Sequence, residues 1–176
     1  MADEPTDVRS FLSRSPEQTE ALGACLGEVL EAGAVLALCG DLGSGKTCFA
    51  RGVARGLGVE EPVTSPTFAL LATYEGRLPL QHFDAWMEGR GRALLADGAG
   101  DCLGAEGVAV IEWAERVEEW LPREHLRVEL NHNNARERLL TLAAWGAAPG
   151  RSCAGAWLRA LEVRGGAVEL SGSAGP

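Results

Sequence analysis

Lysine is nearly absent from this chain. Of 16 basic residues one, Lys46, is a lysine and the rest are arginines. Avoiding lysine costs little at solvated positions, but it stops where a planar guanidinium cannot replace a compact ammonium. Lys46 is therefore a position to explain. Positive charge is also scarce as a whole: 25 acidic residues leave a net charge of −9. A free-standing nucleic-acid binder carries a basic face that displaces counterions from phosphates. Autonomous tRNA or DNA binding is not expected, and any nucleic-acid role should run through a protein partner. Cysteine is limited to Cys25, Cys39, Cys48, Cys102 and Cys153, an odd set without a CxxC pair. Zinc-type spacing is missing, and the thiols read as reduced, small core hydrophobes of a cytoplasmic protein. No apolar run nears the ~18 residues of a membrane helix. The opening Met1-Ala2-Asp3-Glu4-Pro5 offers neither the basic nor the apolar segment of a secretory signal. What is there is a chain of 176 residues, long enough for one hydrophobic core without disulfides.

Local patterns place elements along it. Residues 1–14 are polar and aperiodic and read as a flexible N-terminal arm. Ser15-Pro16-Glu17-Gln18 reads as a helix start, with Ser15 as cap and Gln18 completing a capping box. Apolar residues recur at helical spacing to Glu31, and Gly33 is the expected stop. Ala34–Cys39 is a short continuous apolar run, which suits a strand buried on both faces. A helix is expected from Lys46 to Leu57, and strands over Thr67–Tyr74 and Leu78–Phe83. A short helix is expected at Arg92–Ala96. Val108–Ile111 is a second buried run, and a short helix should cover Ala114–Trp120. Strands over Leu126–Leu130 and Arg138–Trp145 should be joined by a turn at Asn131–Asn134, with a closing helix over Ser152–Val163. The order strand, loop, helix and further strands predicts one α/β domain over 15–164, ahead of a frayed tail at 165–176.

Gly40-Asp41-Leu42-Gly43-Ser44-Gly45-Lys46-Thr47 matches G-x-x-x-x-G-K-[ST] in full. A buried strand precedes it and a helix follows, as the phosphate loop (P-loop) requires. Glycines let the backbone turn sharply, so that successive N–H groups face one anion-sized hollow. The helix adds its positive N-terminal end. Asp41–Cys48 are thus the candidate nucleotide-binding residues: Asp41, Leu42, Gly43, Ser44, Gly45, Lys46, Thr47 and Cys48. Lys46 should reach the β- and γ-phosphates of ATP, and the Thr47 hydroxyl should ligate Mg2+. A buried parallel strand delivers its C-terminal residue to the same sheet edge, so Glu112 is a candidate metal and catalytic carboxylate. Trp113 beside it reads as core or as a wall of the site rather than as a catalyst. Asp84 could position water or magnesium, and His82 could contact phosphate. Thr64-Ser65-Pro66-Thr67 could form a switch segment that senses the γ-phosphate, or a plain turn into the following strand.

Together these motifs resemble the TsaE (formerly YjeE) family of small bacterial P-loop ATPases. The likeness runs from about Ser15 to Trp145. It rests on Gln18-Thr19, Gly40–Gly52 (GDLGSGKTCFARG), Val63–Phe68 (VTSPTF), His82–Asp84 (HFD) and Val110–Trp113 (VIEW). The resemblance implies a P-loop NTPase domain, a mixed sheet with a parallel nucleotide-binding core flanked by helices. It implies ATP and Mg2+ as ligands, with Lys46 and Thr47 on phosphate and magnesium, Glu112 on the metal and Asp84 in hydrolysis. It also implies TsaB and TsaD homologues as partners in forming threonylcarbamoyladenosine in tRNA. Two departures stand out. The family's usual Tyr-Arg after HxD is replaced by Trp86-Met87, which loses a cation that Arg90 or Arg92 could supply. Cys48 replaces a second threonine. The rival readings are a small-molecule kinase, which needs an arginine-rich lid that residues 87–105 support weakly, and a nucleotide-sensing adaptor. A GTPase is disfavoured because Asn-Lys-x-Asp is missing and the one lysine is committed to phosphate.

Overall fold

The computed structural model describes residues 4–87, 89–100, 103–146 and 153–164. Its strands are β1 (Asp7–Ser13), β2 (Ala34–Cys39), β3 (Leu71–Tyr74), β4 (Leu80–Asp84), β5 (Val108–Glu112), β6 (His125–His132) and β7 (Arg138–Trp145). Its helices are α1 (Pro16–Val29), α2 (Lys46–Gly56), α3 (Arg90–Leu94) and α4 (Cys153–Arg164). The strands form one sheet in the order β1-β7-β6-β2-β5-β4-β3. The inner four, β6-β2-β5-β4, are parallel, and antiparallel strands close both sides. Parallel centres need both faces covered, which explains why every residue of β2 and β5 is buried. Leu36 and Leu38 face one core, with Leu22, Leu26, Phe49, Val53, Trp157 and Leu158 of the long helices. Val35 and Ala37 face the other, with Phe83, Leu95, Ile111, Ala114 and Val117.

α1 starts as its sequence requires. The Ser15 side chain accepts from the Gln18 N–H, Pro16 opens the helix, and Gln18 Oε1 accepts from the Arg14 N–H at 2.8 Å. α1 then lies against α2 with glycine facing backbone. A Cβ on Gly23 would come within 2.3 Å of Phe49 O, and one on Gly52 within 2.1 Å of Glu20 O. The helix that carries Gln18-Thr19 near its start is thereby locked onto the helix that carries the P-loop lysine.

Four expectations are corrected. Residues 7–13 of the supposed arm are strand β1, paired along its whole length with β7. α1 ends at Val29, and Gly33 (φ +95°) instead turns the chain into β2. Strand β3 begins only at Leu71, because Leu70 takes φ +67° and its N–H closes a turn onto Pro66 O. The helix expected at 114–120 is two single 3-10 turns, Ala114–Arg116 and Glu118–Trp120. The tail at 165–176 lies outside the described residues. Among the described residues, no helix is long and apolar enough to cross a membrane, and Cys25, Cys39 and Cys48 are free thiols.

Candidate nucleotide-binding site

β2 ends at the centre of the parallel sheet, and the glycine loop leaves from there. Gly40 has φ +134°, and a Cβ on it would sit 2.2 Å from Leu130 O, so only glycine fits. Gly45 (φ +106°) caps α2 without any side-chain hydrogen bond. The N–H groups of the first turn of α2 therefore lack an intrahelical partner and remain available to an anion. Ser44 Oγ is buried without a hydrogen-bond partner. Lys46 is 5% exposed. Its ammonium donates to Gly40 O at 2.6 Å and Asp41 O at 2.9 Å, and lies 3.5 Å from the centroid of the Trp113 ring. Burial lowers its pKa from 10.5, since a desolvated ammonium is disfavoured.

Glu112 ends β5, opposite Leu38 on β2 and Asp84 on β4. The Thr47 hydroxyl donates to Glu112 Oε2 at 2.9 Å, and His82 Nε2 lies 2.8 Å from Glu112 Oε1. Asp84, 2% exposed, accepts three hydrogen bonds. Its Oδ2 accepts from the hydroxyls of Ser65 at 2.5 Å and Thr67 at 2.8 Å, and its Oδ1 accepts from the Trp86 N–H at 2.8 Å. The HFD strand end thus holds the 64–67 segment at the rim of the site. Trp113 takes φ +58°, a costly conformation for a bulky residue. It is packed 4.4 Å from the Trp86 ring, centroid to centroid, and under Lys46. Arg116 lies over the same two rings, at 4.5 Å from Trp86 and 5.3 Å from Trp113, and donates to Trp86 O.

These pieces enclose a cleft of about 400 Å³. Leu42, Gly43, Gly45, Lys46, Thr47, Cys48, Ser65, Thr67, Asp84 and Glu112 line it together with Trp86 and Trp113. Most of the expected site residues therefore meet in one place. Asp41 and Ser44 shape the loop, the Ser44 N–H closing onto Asp41 O. Thr64 and Pro66 do not line the cleft; Pro66 is buried and its carbonyl anchors Leu70. His82 is not the phosphate contact expected of it, because its ring is 0% exposed and turned onto Glu112. Neither Arg90 nor Arg92 takes the place of the family arginine. Arg90 reaches Met87 Sδ and Arg92 pairs with Glu119, while Arg116 is the cation stacked beside the cleft. Cys48 Sγ donates to Pro16 O, and burial raises its pKa.

A second cleft of about 400 Å³ opens on the other side of the loop, between Gly43, Ser44, Gly45 and Cys48 and the side chains of Arg14, Thr19, Arg136 and Arg138. Sequence patterns do not single out these arginines. They come together only because β1 pairs with β7. Arg138 donates to Gly43 O at 3.3 Å.

A buried parallel strand, a glycine loop that runs into a helix, and a carboxylate on the neighbouring strand define a P-loop α/β protein. Comparison with known proteins carries the assignment further. The family model for TsaE, the threonylcarbamoyl adenosine biosynthesis protein, matches residues 13–140. The chain belongs to the TsaE family. It is 43% identical over 132 residues to the tRNA threonylcarbamoyladenosine biosynthesis protein TsaE of Treponema pallidum, covering 75% of this chain and 98% of that one. It is 40% identical to the protein of that name from Bacillus subtilis over 134 residues, 75% of this chain and 83% of the other. The fold is similar to the crystal structure of Bacillus subtilis YdiB, with a TM-score of 0.74 and 32% identity over 90% of this chain and 97% of that one.

Proposed function

We propose that the chain is a magnesium-dependent ATPase, serving in the cytoplasm the system that installs threonylcarbamoyladenosine in tRNA, together with TsaB and TsaD counterparts. The observation that carries this reading is a single constellation. Thr47 Oγ1 meets Glu112 Oε2 beside the glycine loop, while Asp84 holds Ser65 and Thr67 at the same cleft. The residues fit magnesium–ATP. The uncapped start of α2, the unpartnered Ser44 hydroxyl and a Lys46 ammonium held only by carbonyls and a ring are groups that phosphate oxygens would satisfy. Thr47 and Glu112 would hold the metal, which would supply positive charge to offset that of the phosphates. The second cleft gives room for the nucleoside. The names of the relatives support the place in tRNA modification.

The geometry also suggests how this chain's residues take part. Lys46 leaves the two loop carbonyls and Trp113 to reach phosphate. Asp84 has every oxygen occupied by the switch segment and Trp86. Release of Ser65 or Thr67 would free Oδ2 to orient an attacking water, which would couple hydrolysis to movement of residues 64–67. No arginine is among the residues that line the cleft, and Met87 stands where the family arginine is usual. The isolated chain should therefore turn over slowly. Leu42 in the cleft lining and Phe68, which follows Thr67, are 75% and 83% exposed and offer apolar contact to a partner that orders the switch or adds charge, and an arginine supplied in trans raises rates by about 10³–10⁵ in related systems.

Steady-state phosphate release tests this, with and without TsaB and TsaD, using Lys46→Ala as the blank. Stimulated release without any phosphate acceptor supports the ATPase and rules out the kinase. A fast rate that the partners leave unchanged points to a self-sufficient ATPase instead, and no release under any condition points to a nucleotide-sensing adaptor.

A further inference from the structure

Side chains alternate along a strand, so His82 and Asp84 of β4 share the sheet face of Val110 and Glu112 of β5, with which they are in register. Asp84 has a role at the cleft, but His82 lies one pair deeper, is fully buried and does not line the cleft. Its Nε2 has one partner, Glu112 Oε1 at 2.8 Å. Its Nδ1 is buried with no partner. A ring that merely filled space would be better replaced by phenylalanine, because a buried polar atom left unpaired costs about 1–3 kcal/mol. What the imidazole has that phenylalanine lacks is the bond to Glu112.

We propose that His82 is the positioning residue of the metal-side carboxylate, an inference that rests on the magnesium–ATP reading above. A carboxylate only accepts, so its contact assigns the His82 proton to Nε2. That N–H pins Glu112 Oε1 and fixes the plane of the carboxylate. Oε2 is then left beside Thr47 Oγ1 at 2.9 Å, the one oxygen presented to the metal. Glu112 is held from behind by His82 and from the front by Thr47, which ties β4, β5 and α2 to one point. His82 touches neither nucleotide nor metal and acts only through Glu112. Outer partners of metal-binding groups are worth about 10- to 100-fold in metal affinity when removed.

The test compares ADP binding by calorimetry, with and without magnesium, in wild type and in His82→Phe, His82→Asn and His82→Gln. The amide nitrogen of Gln falls close to the place of Nε2, whereas that of Asn falls at Nδ1 and cannot reach Glu112. Metal-free ADP affinity should be unchanged in all three variants, which also checks their folding. The gain in affinity from magnesium should fall about 10- to 100-fold in the Phe and Asn variants and recover in the Gln variant. A long-range 1H–15N spectrum of the wild type should show the His82 proton on Nε2. If the Phe variant fails to bind metal-free ADP, the Asn–Gln pair and the spectrum decide. Equal magnesium dependence in wild type, Asn and Gln variants, or a proton on Nδ1 with Nε2 bare, overturns the proposal while leaving the ATPase reading intact. Wild-type protein that binds ADP equally with and without magnesium overturns the metal reading, and the role of His82 with it.

Discussion

Gly52→Ala should destabilise the protein, although helix propensity alone says the opposite. Gly52 lies inside α2, where alanine gains about 0.8–1 kcal/mol over glycine. Against this gain stands a steric clash that costs more. An added Cβ would lie 2.1 Å from Glu20 O, 2.9 Å from Glu20 C and 3.0 Å from Ala24 N, all backbone atoms of α1. Ordinary carbon contacts need about 3.5 Å, so the helices must part by roughly 1 Å, and no side chain can rotate away to spare them. Overpacking of this kind costs about 1–3 kcal/mol, at the upper end here because the obstacle is a main-chain carbonyl. Gly23, Gly27 and Gly56 meet facing backbone equally closely, so the seam cannot tilt to relieve one point. The net loss is about 2 kcal/mol, which for a domain of this size lowers the melting temperature by roughly 4–8 °C. Urea and thermal unfolding followed by circular dichroism measure it. A variant as stable as wild type, or more so, would refute the close glycine seam between α1 and α2.

Lys46→Ala should weaken ATP binding by about 10- to 100-fold, the worth of charge-assisted hydrogen bonds to phosphate, and Lys46→Arg should not restore it; equilibrium titration with a fluorescent nucleotide reads both, and wild-type affinity in either variant contradicts the P-loop assignment. Burial holds the Lys46 pKa below 10.5 in the free protein, whereas bound phosphate favours the ammonium and raises it. Between the two values binding takes up a proton, so affinity should be level below that window and fall as pH rises through it. Calorimetry in buffers of different ionisation enthalpy detects the uptake, and an alkaline affinity independent of pH argues against it. Asp84→Asn should cut hydrolysis by about 10²-fold with little change in nucleotide affinity, because its carboxylate holds the switch rather than the phosphates; loss of binding with an unchanged rate would assign Asp84 to the ground state instead.

How legible each part was in the sequence follows from how local its cause is. Ala34–Cys39 and Arg138–Trp145 have the bounds expected of them, since burial on both faces gives β2 a continuous apolar run and one buried face gives β7 a clean alternation. β1 escaped notice because only Phe11 and Ser13 of its seven residues are buried. Its strand character comes from pairing with β7, some 130 residues away, and leaves no periodic mark. The switch was legible as Thr-Ser-Pro-Thr, but the positive φ at Leu70 that keeps residues 67–70 out of β3 was not. The P-loop was legible because its chemistry is contiguous. The arginine-rimmed cleft behind it was not, because Arg14, Arg136 and Arg138 are assembled by strand order alone.

The same distinction accounts for His82. From sequence, a histidine two residues before a site aspartate reads as a second ligand group, and alternation does put both on one face. Alternation does not say how far each lies from the strand end, and here that distance decides the role. Asp84 is level with Glu112, while His82 is level with Val110, one layer below the cleft. A side chain at that depth cannot reach phosphate, but it can reach the underside of a carboxylate at the next level. The carboxylate must then be long enough to meet His82 with one oxygen and Thr47 with the other. Glutamate at 112 spans both contacts, at 2.8 Å and 2.9 Å. Aspartate, shorter by one methylene, would keep the charge and give up one of the two. The glutamate at this strand end is thus matched to the histidine beneath it.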